Sequence, residues 1–179
     1  MRNPASEHLP DAIREELLQS GIVSGDFILA SGIRAAKKFD FDLIPTNSDL
    51  FEIVVSGLAR CIRNQFSSFD AIVTIANGAT RLGDPIAHQL NVSHTPTTYH
   101  VDELGQKQFV VPQLSTERHC IIVDDVFTKG TNATKVASRL AARGCAIGGV
   151  GVILDRSNVA SPAICHDSPV VSLIKQQLL

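Results

Sequence analysis

The 179-residue sequence contains no run of 18 consecutive apolar residues, so no segment reads as a transmembrane helix. Its first ten residues, Met1 to Pro10, lack the apolar core of a secretory signal. No two of its four cysteines have CxxC spacing, and Cys120 and Cys145 sit inside apolar runs. A disulfide framework and a zinc site are therefore not expected, and the thiols read as buried and reduced. The six histidines, at 8, 88, 94, 100, 119 and 166, never pair at i, i+4, which also argues against zinc. Positive charge is not in excess: 16 Lys+Arg against 18 Asp+Glu gives net −2, and nucleic-acid binding is not favoured. GxxxxGK[ST], GxGxxG and GxSxG are all missing, which removes the P-loop, the dinucleotide fingerprint and the hydrolase elbow. There is no internal repeat and no low-complexity segment. What remains is ordinary globular composition, 44% hydrophobic and 19% charged, at the length of one domain. A soluble cytoplasmic protein is the default expectation, with no membrane partner.

Periodicity then organises the chain. Ile13, Leu17 and Leu18 predict an amphipathic helix over residues 10–20, stopped by Gly21. A polar stretch from Ser24 to Asp42 holds only short extended pieces. Pro45 to Ser48 is a turn that caps a helix from about Asp49 to Asn64. Three short apolar runs follow as strands buried on both faces: Ala71 to Ile75, Cys120 to Asp124, and Ile147 to Leu154. Further strands are expected over 95–101, 108–111 and 170–174, with helices over 82–90 and 132–143. Strands alternating with helices predict an α/β fold with a doubly wound, mostly parallel sheet flanked by helices. The first 45 residues do not follow the alternation and read as a separate N-terminal helix and cap; 46–179 read as one compact core.

The chemistry concentrates in Cys120 to Asn132. An apolar strand delivers Asp124 and Asp125 to its C-terminal end, where open α/β sheets bind ligands. Thr128, Lys129, Gly130, Thr131 and Asn132 then lead into a helix N-terminus. Such a loop offers backbone N–H groups, hydroxyls and partial positive charge to a phosphate, and Lys129 adds a direct charge. Two carboxylates beside a phosphate loop suit a ligand with diol hydroxyls, and also a Mg²⁺ shared with a diphosphate. The ligand implied is a sugar phosphate. The competing structural reading is an acid pair that only caps a helix. A response-regulator-like domain would place its acid pair early in the chain, and here the pair comes late.

Val123-Asp124-Asp125-Val126-Phe127-Thr128-Lys129-Gly130-Thr131 resembles the phosphoribosyl-diphosphate (PRPP) signature of the type I phosphoribosyltransferases. Gly144 to Ser157, ending in Leu-Asp-Arg, Gly25 to Gly32, and Pro169 to Leu173 resemble the orotate branch of that family. The resemblance implies a phosphoribosyltransferase fold whose residues 1–45 form a small hood. It implies that Asp124 and Asp125 hold the ribose hydroxyls, Asp125 being catalytic, and that Thr128 through Asn132 wrap the 5′-phosphate. It sets Ala76, Asn77 and Gly78, with Arg81, against the diphosphate. It places Arg156, Lys37 and Phe39 at the base, a planar guanidinium suiting the orotate carboxylate. The structural alternative for Arg156 is a surface pair with Asp155. Mg²⁺ is implied as cofactor, held mainly through the PRPP diphosphate, together with a homodimer whose catalytic loop reaches the neighbouring subunit. That loop corresponds to Asp102 to Lys107, short and acidic here, with Lys107 as its catalytic cation. Ala30 stands where the family has Lys, and Arg81 is the nearest base to Gly78. Three readings follow: an orotate-type enzyme with relocated cations, a phosphoribosyltransferase for another base, and a PRPP- or nucleotide-binding regulator.

Overall fold

The computed structural model describes residues 9–28, 32, 34–114, 118–160, 162–164 and 168–176. Helix α1 (Asp11–Gly21) leads into an antiparallel ribbon of β1 (Ile22–Ile28) and β2 (Arg34–Phe39). A short 3₁₀ turn (Phe41–Leu43) precedes helix α2 (Asp49–Gln65), whose first turn is capped by Ser48 Oγ accepting from Phe51 N at 3.2 Å. Then come β3 (Ala71–Thr74), α3 (Thr80–Leu90), β4 (Ser93–Pro96), β5 (Thr98–Val101), β6 (Lys107–Val110), β7 (His119–Phe127), α4 (Thr131–Ala141), β8 (Ala146–Asp155) and β9 (Val170–Lys175).

The main sheet has the order β4-β3-β7-β8-β9, and every pairing is parallel. Its central strands read as apolar runs because each is covered twice. Ile72, Ile121, Val123 and Ile153 join one buried cluster with α1, α2 and α3. Their neighbours Ala71, Val73, Cys120, Ile122, Val150 and Val152 join a second cluster with α4 and with Phe109 and Val111. Alternation along a strand thus sends successive side chains to two different cores. Helix α2 comes close to the sheet at Gly57, where an added Cβ would lie 2.8 Å from Leu173. Phe39, Phe41 and Ile44 share the first cluster with Leu17 and Leu18, so the N-terminal segment is packed onto that side of the molecule.

Two expected strands are corrected. Residues 95–101 are not one strand: the chain leaves the sheet at Thr97, where β4 ends and β5 begins. Pro96 has no N–H to continue a ladder, and β4 is the edge strand, where proline is tolerated. Strand β7 runs beyond Asp124 to Phe127, and its acids still pair with β8, Asp124 opposite Val152. The polar stretch 24–42, expected to hold short extended pieces, carries most of the β1–β2 ribbon, which starts at Ile22. Cys61, Cys120 and Cys145 are buried free thiols, and burial raises Cys120 to a pKa of about 12. Cys165 and Ala30 lie outside the described residues. Among the described residues no helix is long and apolar enough to cross a membrane.

Candidate active site

The C-terminal edge of the main sheet opens into a cavity of about 390 Å³. Strand β7 builds its floor. Residues Cys120 to Val123 are fully buried, which fixes the strand, and Asp124 and Asp125 emerge half-buried at its end. Each carboxylate accepts from the next backbone amide: Asp125 N donates to Asp124 Oδ1 (3.0 Å) and Val126 N to Asp125 Oδ1 (2.8 Å). Burial still dominates. It pushes the Asp124 carboxyl well above the usual carboxylate range, with the neighbouring Asp125 charge adding to it. Asp125 is raised as well, by burial first, and the Asp40 charge contributes in the same direction. Holding two adjacent carboxylates there is costly to the fold, and paired acids with perturbed titration in a cleft mark a candidate functional site.

Three elements surround the acids. Thr128 and Asn132 line the cavity from the turn between β7 and α4. Gly130 turns the chain there at φ +71°, and a Cβ would lie 2.8 Å from the Phe127 ring. Gly130 gives α4 no side-chain cap, so the first-turn amides are left for another acceptor. From the turn after β3 come Ala76, Asn77 and Gly78, with the Ala76–Asn77 peptide bond cis. Gly78 lies so close to Asp125 that an added Cβ would be 2.2 Å from Oδ2. From the end of β8 comes Arg156, anchored by its N–H to Phe127 O at 2.8 Å. Burial holds its pKa below the ordinary guanidinium value. It does not pair with Asp155, which is buried and takes Lys175 at 2.9 Å instead.

The roof is polar. Ile28, Lys38, Phe39, Asp40 and Asp42 descend from the N-terminal segment, and Lys107 from β6. Lys38 Nζ is 2.9 Å from Asp40 Oδ2 and 5.3 Å from the Phe27 ring centre. Lys107 Nζ lies 4.3 Å over the Tyr99 ring. The 102–106 segment is a tight turn. Asp102 Oδ1 accepts from Leu104 N (3.0 Å) and Gln106 N (2.8 Å), and Oδ2 from Gln108 Nε2 (2.7 Å). These bonds, that to Gln106 first, hold the Asp102 carboxyl below its usual range. This acid is spent on the turn, so the short acidic segment adds no cavity-facing carboxylate.

Of the sequence-derived residues, the cavity brings together Phe39, Ala76, Asn77, Gly78, Lys107, Asp124, Asp125, Thr128, Asn132 and Arg156. Lys129 and Thr131 are exposed, and Gly130 is buried, in the same turn. Two cations are corrected. Lys37 is exposed and Lys38 lines the cavity; the two are in regular register with β1, opposite Ser24 and Val23, and point to opposite faces of the ribbon. Arg81 is engaged away from the 76–78 turn: it donates to Asp42 O at 2.9 Å and to Ile44 O, and lies over the rings of Phe41 and Phe51. Sequence reasoning named Lys38 beside Lys37 as a substitute for the missing family lysine, and missed Asp40 and Asp42; their only signal was charge density next to Phe39. Thr97, whose Oγ1 accepts from Ala76 N at 3.1 Å, gave no signal at all.

A model of the phosphoribosyl transferase domain matches residues 46–176. Orotate phosphoribosyltransferase of Archaeoglobus fulgidus is 24% identical over 149 residues, covering 83% of each chain. The crystal structure of orotate phosphoribosyltransferase from Aeropyrum pernix superposes with a TM-score of 0.68 at 19% identity, over 89% of this chain and 92% of that one. The adenine phosphoribosyl transferase of Trypanosoma brucei, solved with AMP, pyrophosphate and ribose-5-phosphate, superposes with a TM-score of 0.70 at 16% identity, over 97% of this chain and 84% of that one. At these identities the two structures speak for the fold.

Proposed function

This chain belongs to the phosphoribosyl transferase domain family, and from that premise we propose that it transfers the 5-phosphoribosyl group of PRPP to orotate, releasing pyrophosphate. One observation carries the reading. Asp124–Asp125, the 128–132 turn, the 76–78 turn and Arg156 converge on a single cavity at the carboxyl edge of a parallel sheet. A ribose diol meets the acids, its 5-phosphate the turn and the α4 amides, its diphosphate the 76–78 turn, and the base Arg156.

In the reaction the bond from C1′ to the diphosphate oxygen breaks, and pyrophosphate leaves with the electron pair. The base nitrogen forms the new bond to C1′ and gives up its proton. Positive charge develops on the sugar, so Asp124 and Asp125 are placed to hold the ribose hydroxyls beside it. Lys107 would meet the leaving diphosphate, and Ile28 and Phe39 would keep water from the activated sugar. Mg²⁺ belongs to this reading. Among the described residues no three His, Cys, Asp or Glu side chains converge into a metal cage. The hard-oxygen pair Asp124–Asp125 fits a cation held by one or two carboxylates and substrate phosphates, as Mg²⁺ prefers. When bound it would neutralise the diphosphate. A homodimer is part of the reading, supported by Val101 and Leu104, 57% and 83% exposed at the tip of the β5–β6 hairpin. So is a cytoplasmic location, where such charged substrates are made and used.

A specific observation favours a second reading, transfer to a different base. Lys38 shares its charge with Asp40 at 2.9 Å, and Asp40 and Asp42 both line the cavity, which reduces the positive charge facing a base carboxylate. The test is pyrophosphate release from PRPP with Mg²⁺, with orotate and then a panel of purine and pyrimidine bases, beside an Asp125→Asn control. Orotate-dependent release abolished in the control supports the first reading. Release only with another base selects the second. PRPP binding without turnover on any base would move the protein to the regulators.

A further inference from the structure

Behind the diphosphate turn lies a chain of hydrogen bonds that the reaction above does not use. Asp84 Oδ1 is 2.7 Å from His94 Nδ1, and His94 Nε2 is 2.8 Å from Thr74 Oγ1. A carboxylate only accepts, so Nδ1 carries its hydrogen towards Asp84, and Nε2 shares a hydrogen bond with the Thr74 hydroxyl, which can donate or accept. The ring fits because residue 83 is glycine; a Cβ there would lie 2.0 Å from Nε2. The trio has the composition of a hydrolytic triad, but Thr74 is 0% exposed and no substrate reaches its hydroxyl.

Its position suggests another task. Thr74 is the last residue of β3, and the turn that lines the cavity starts directly after it. Thr97, 1% exposed at the point where the chain leaves β4, grips the same place twice. Its N–H donates to Thr74 O (2.9 Å) and its Oγ1 accepts from Ala76 N (3.1 Å). With the Ala76 amide satisfied from behind, the Asn77 and Gly78 amides have no partner among the described residues, and both residues line the cavity. Edge strand β4 and the residue just after it therefore supply two side chains, His94 and Thr97, behind one turn.

We propose that Thr97, backed by the Asp84–His94–Thr74 chain, is a positioning residue that sets the 75–79 turn in its diphosphate-accepting shape; this rests on the phosphoribosyl reading of the cavity. The test is calorimetric binding of two probes to the whole chain: pyrophosphate with Mg²⁺, and ribose 5-phosphate. Thr97→Val keeps the shape and removes the hydroxyl. It should weaken pyrophosphate roughly tenfold, the size of one buried hydrogen bond lost, and leave ribose 5-phosphate within about twofold. Thr97→Ser should restore pyrophosphate binding. Asp84→Ala, at the exposed end of the chain, serves if Thr97→Val does not fold; it should weaken pyrophosphate about threefold and spare ribose 5-phosphate. Equal loss of both probes, or unchanged pyrophosphate binding, overturns the proposal alone. A wild-type protein that binds neither probe overturns the functional reading and the proposal with it.

Discussion

The floor and the roof of the cavity are built differently. The floor stands on parallel strands whose residues just below it, Cys120 to Val123 and Val150 to Leu154, are buried on both faces of the sheet. The roof comes from two separate two-stranded ribbons, β1–β2 and β5–β6, which carry Ile28, 82% exposed, and Leu104, 83% exposed. An isolated two-stranded ribbon is marginal in water. Polar contacts hold these two in shape: Arg34 Nε on Asp26 at 2.7 Å, Lys38 on Asp40, and the bonds around Asp102. The floor therefore presents its groups at positions over-determined by packing. The roof sets the charge facing the ligand with side chains that have partners of their own.

This contrast can be broken or sharpened by substitution. Asp125→Asn, in the floor, should cost roughly 10³-fold in pyrophosphate release, the upper end for one preorganised contact in a dry site. A loss under tenfold would mean the floor does not hold the sugar. Lys107→Met, in the roof, should cost roughly 10²-fold in kcat with little change in the KM for the base. A change in base KM alone would move Lys107 from the leaving group to the acceptor. Arg81→Ala tests the corrected cation. It should lower stability by about 2 kcal/mol, or roughly 4–8 °C in Tm, because carbonyls of the 41–44 turn lose a charged donor. The KM for PRPP should stay within about threefold, and a larger rise would return Arg81 to the diphosphate. Lys38→Ala should raise the KM for orotate roughly tenfold, about 1.4 kcal/mol, against about twofold for Lys37→Ala. The reverse order would show that Lys37, and not Lys38, serves the base.

The smallest effect concerns the floor's own stability. The folded Asp124 pKa lies above the unfolded carboxylate value, so the folded state binds more protons between the two. Stability then falls as pH rises from the ordinary carboxylate range through the raised folded value, and the cost is fully present above it. Asp124→Asn removes that dependence. Thermal melts near neutral pH should show Tm up by about 2–4 °C, equivalent to about 1 kcal/mol, while PRPP binding is lost. An unchanged or lower Tm would mean the acid pair does not cost the fold stability.

Much of the floor was legible because it is local. Four apolar residues followed by Asp124-Asp125 read as a buried strand end, and Thr128 to Asn132 followed by an amphipathic run read as a phosphate turn. The roof was legible only as composition. Lys37 and Lys38 are adjacent on β2, and only the docking of the ribbon decides which of its faces is turned to the cavity. Arg81 follows the 76–78 turn closely in sequence. Its guanidinium nevertheless finds carbonyls about forty residues back, because α3 packs against the segment before α2.

Sequence alone thus determined the alternation of strands and helices, the parallel sheet and the acid pair at its edge. Each follows from hydrophobic periodicity and from short motifs whose groups are joined by the backbone. Tertiary structure alone decided which cations reach the cavity, that Thr97 and His94 stand behind the 76–78 turn, and that Asp102 is consumed by its own turn. Those outcomes depend on hydrogen bonds and burial between residues far apart in the chain. A charged side chain has several partners within reach, and only the packed fold selects one.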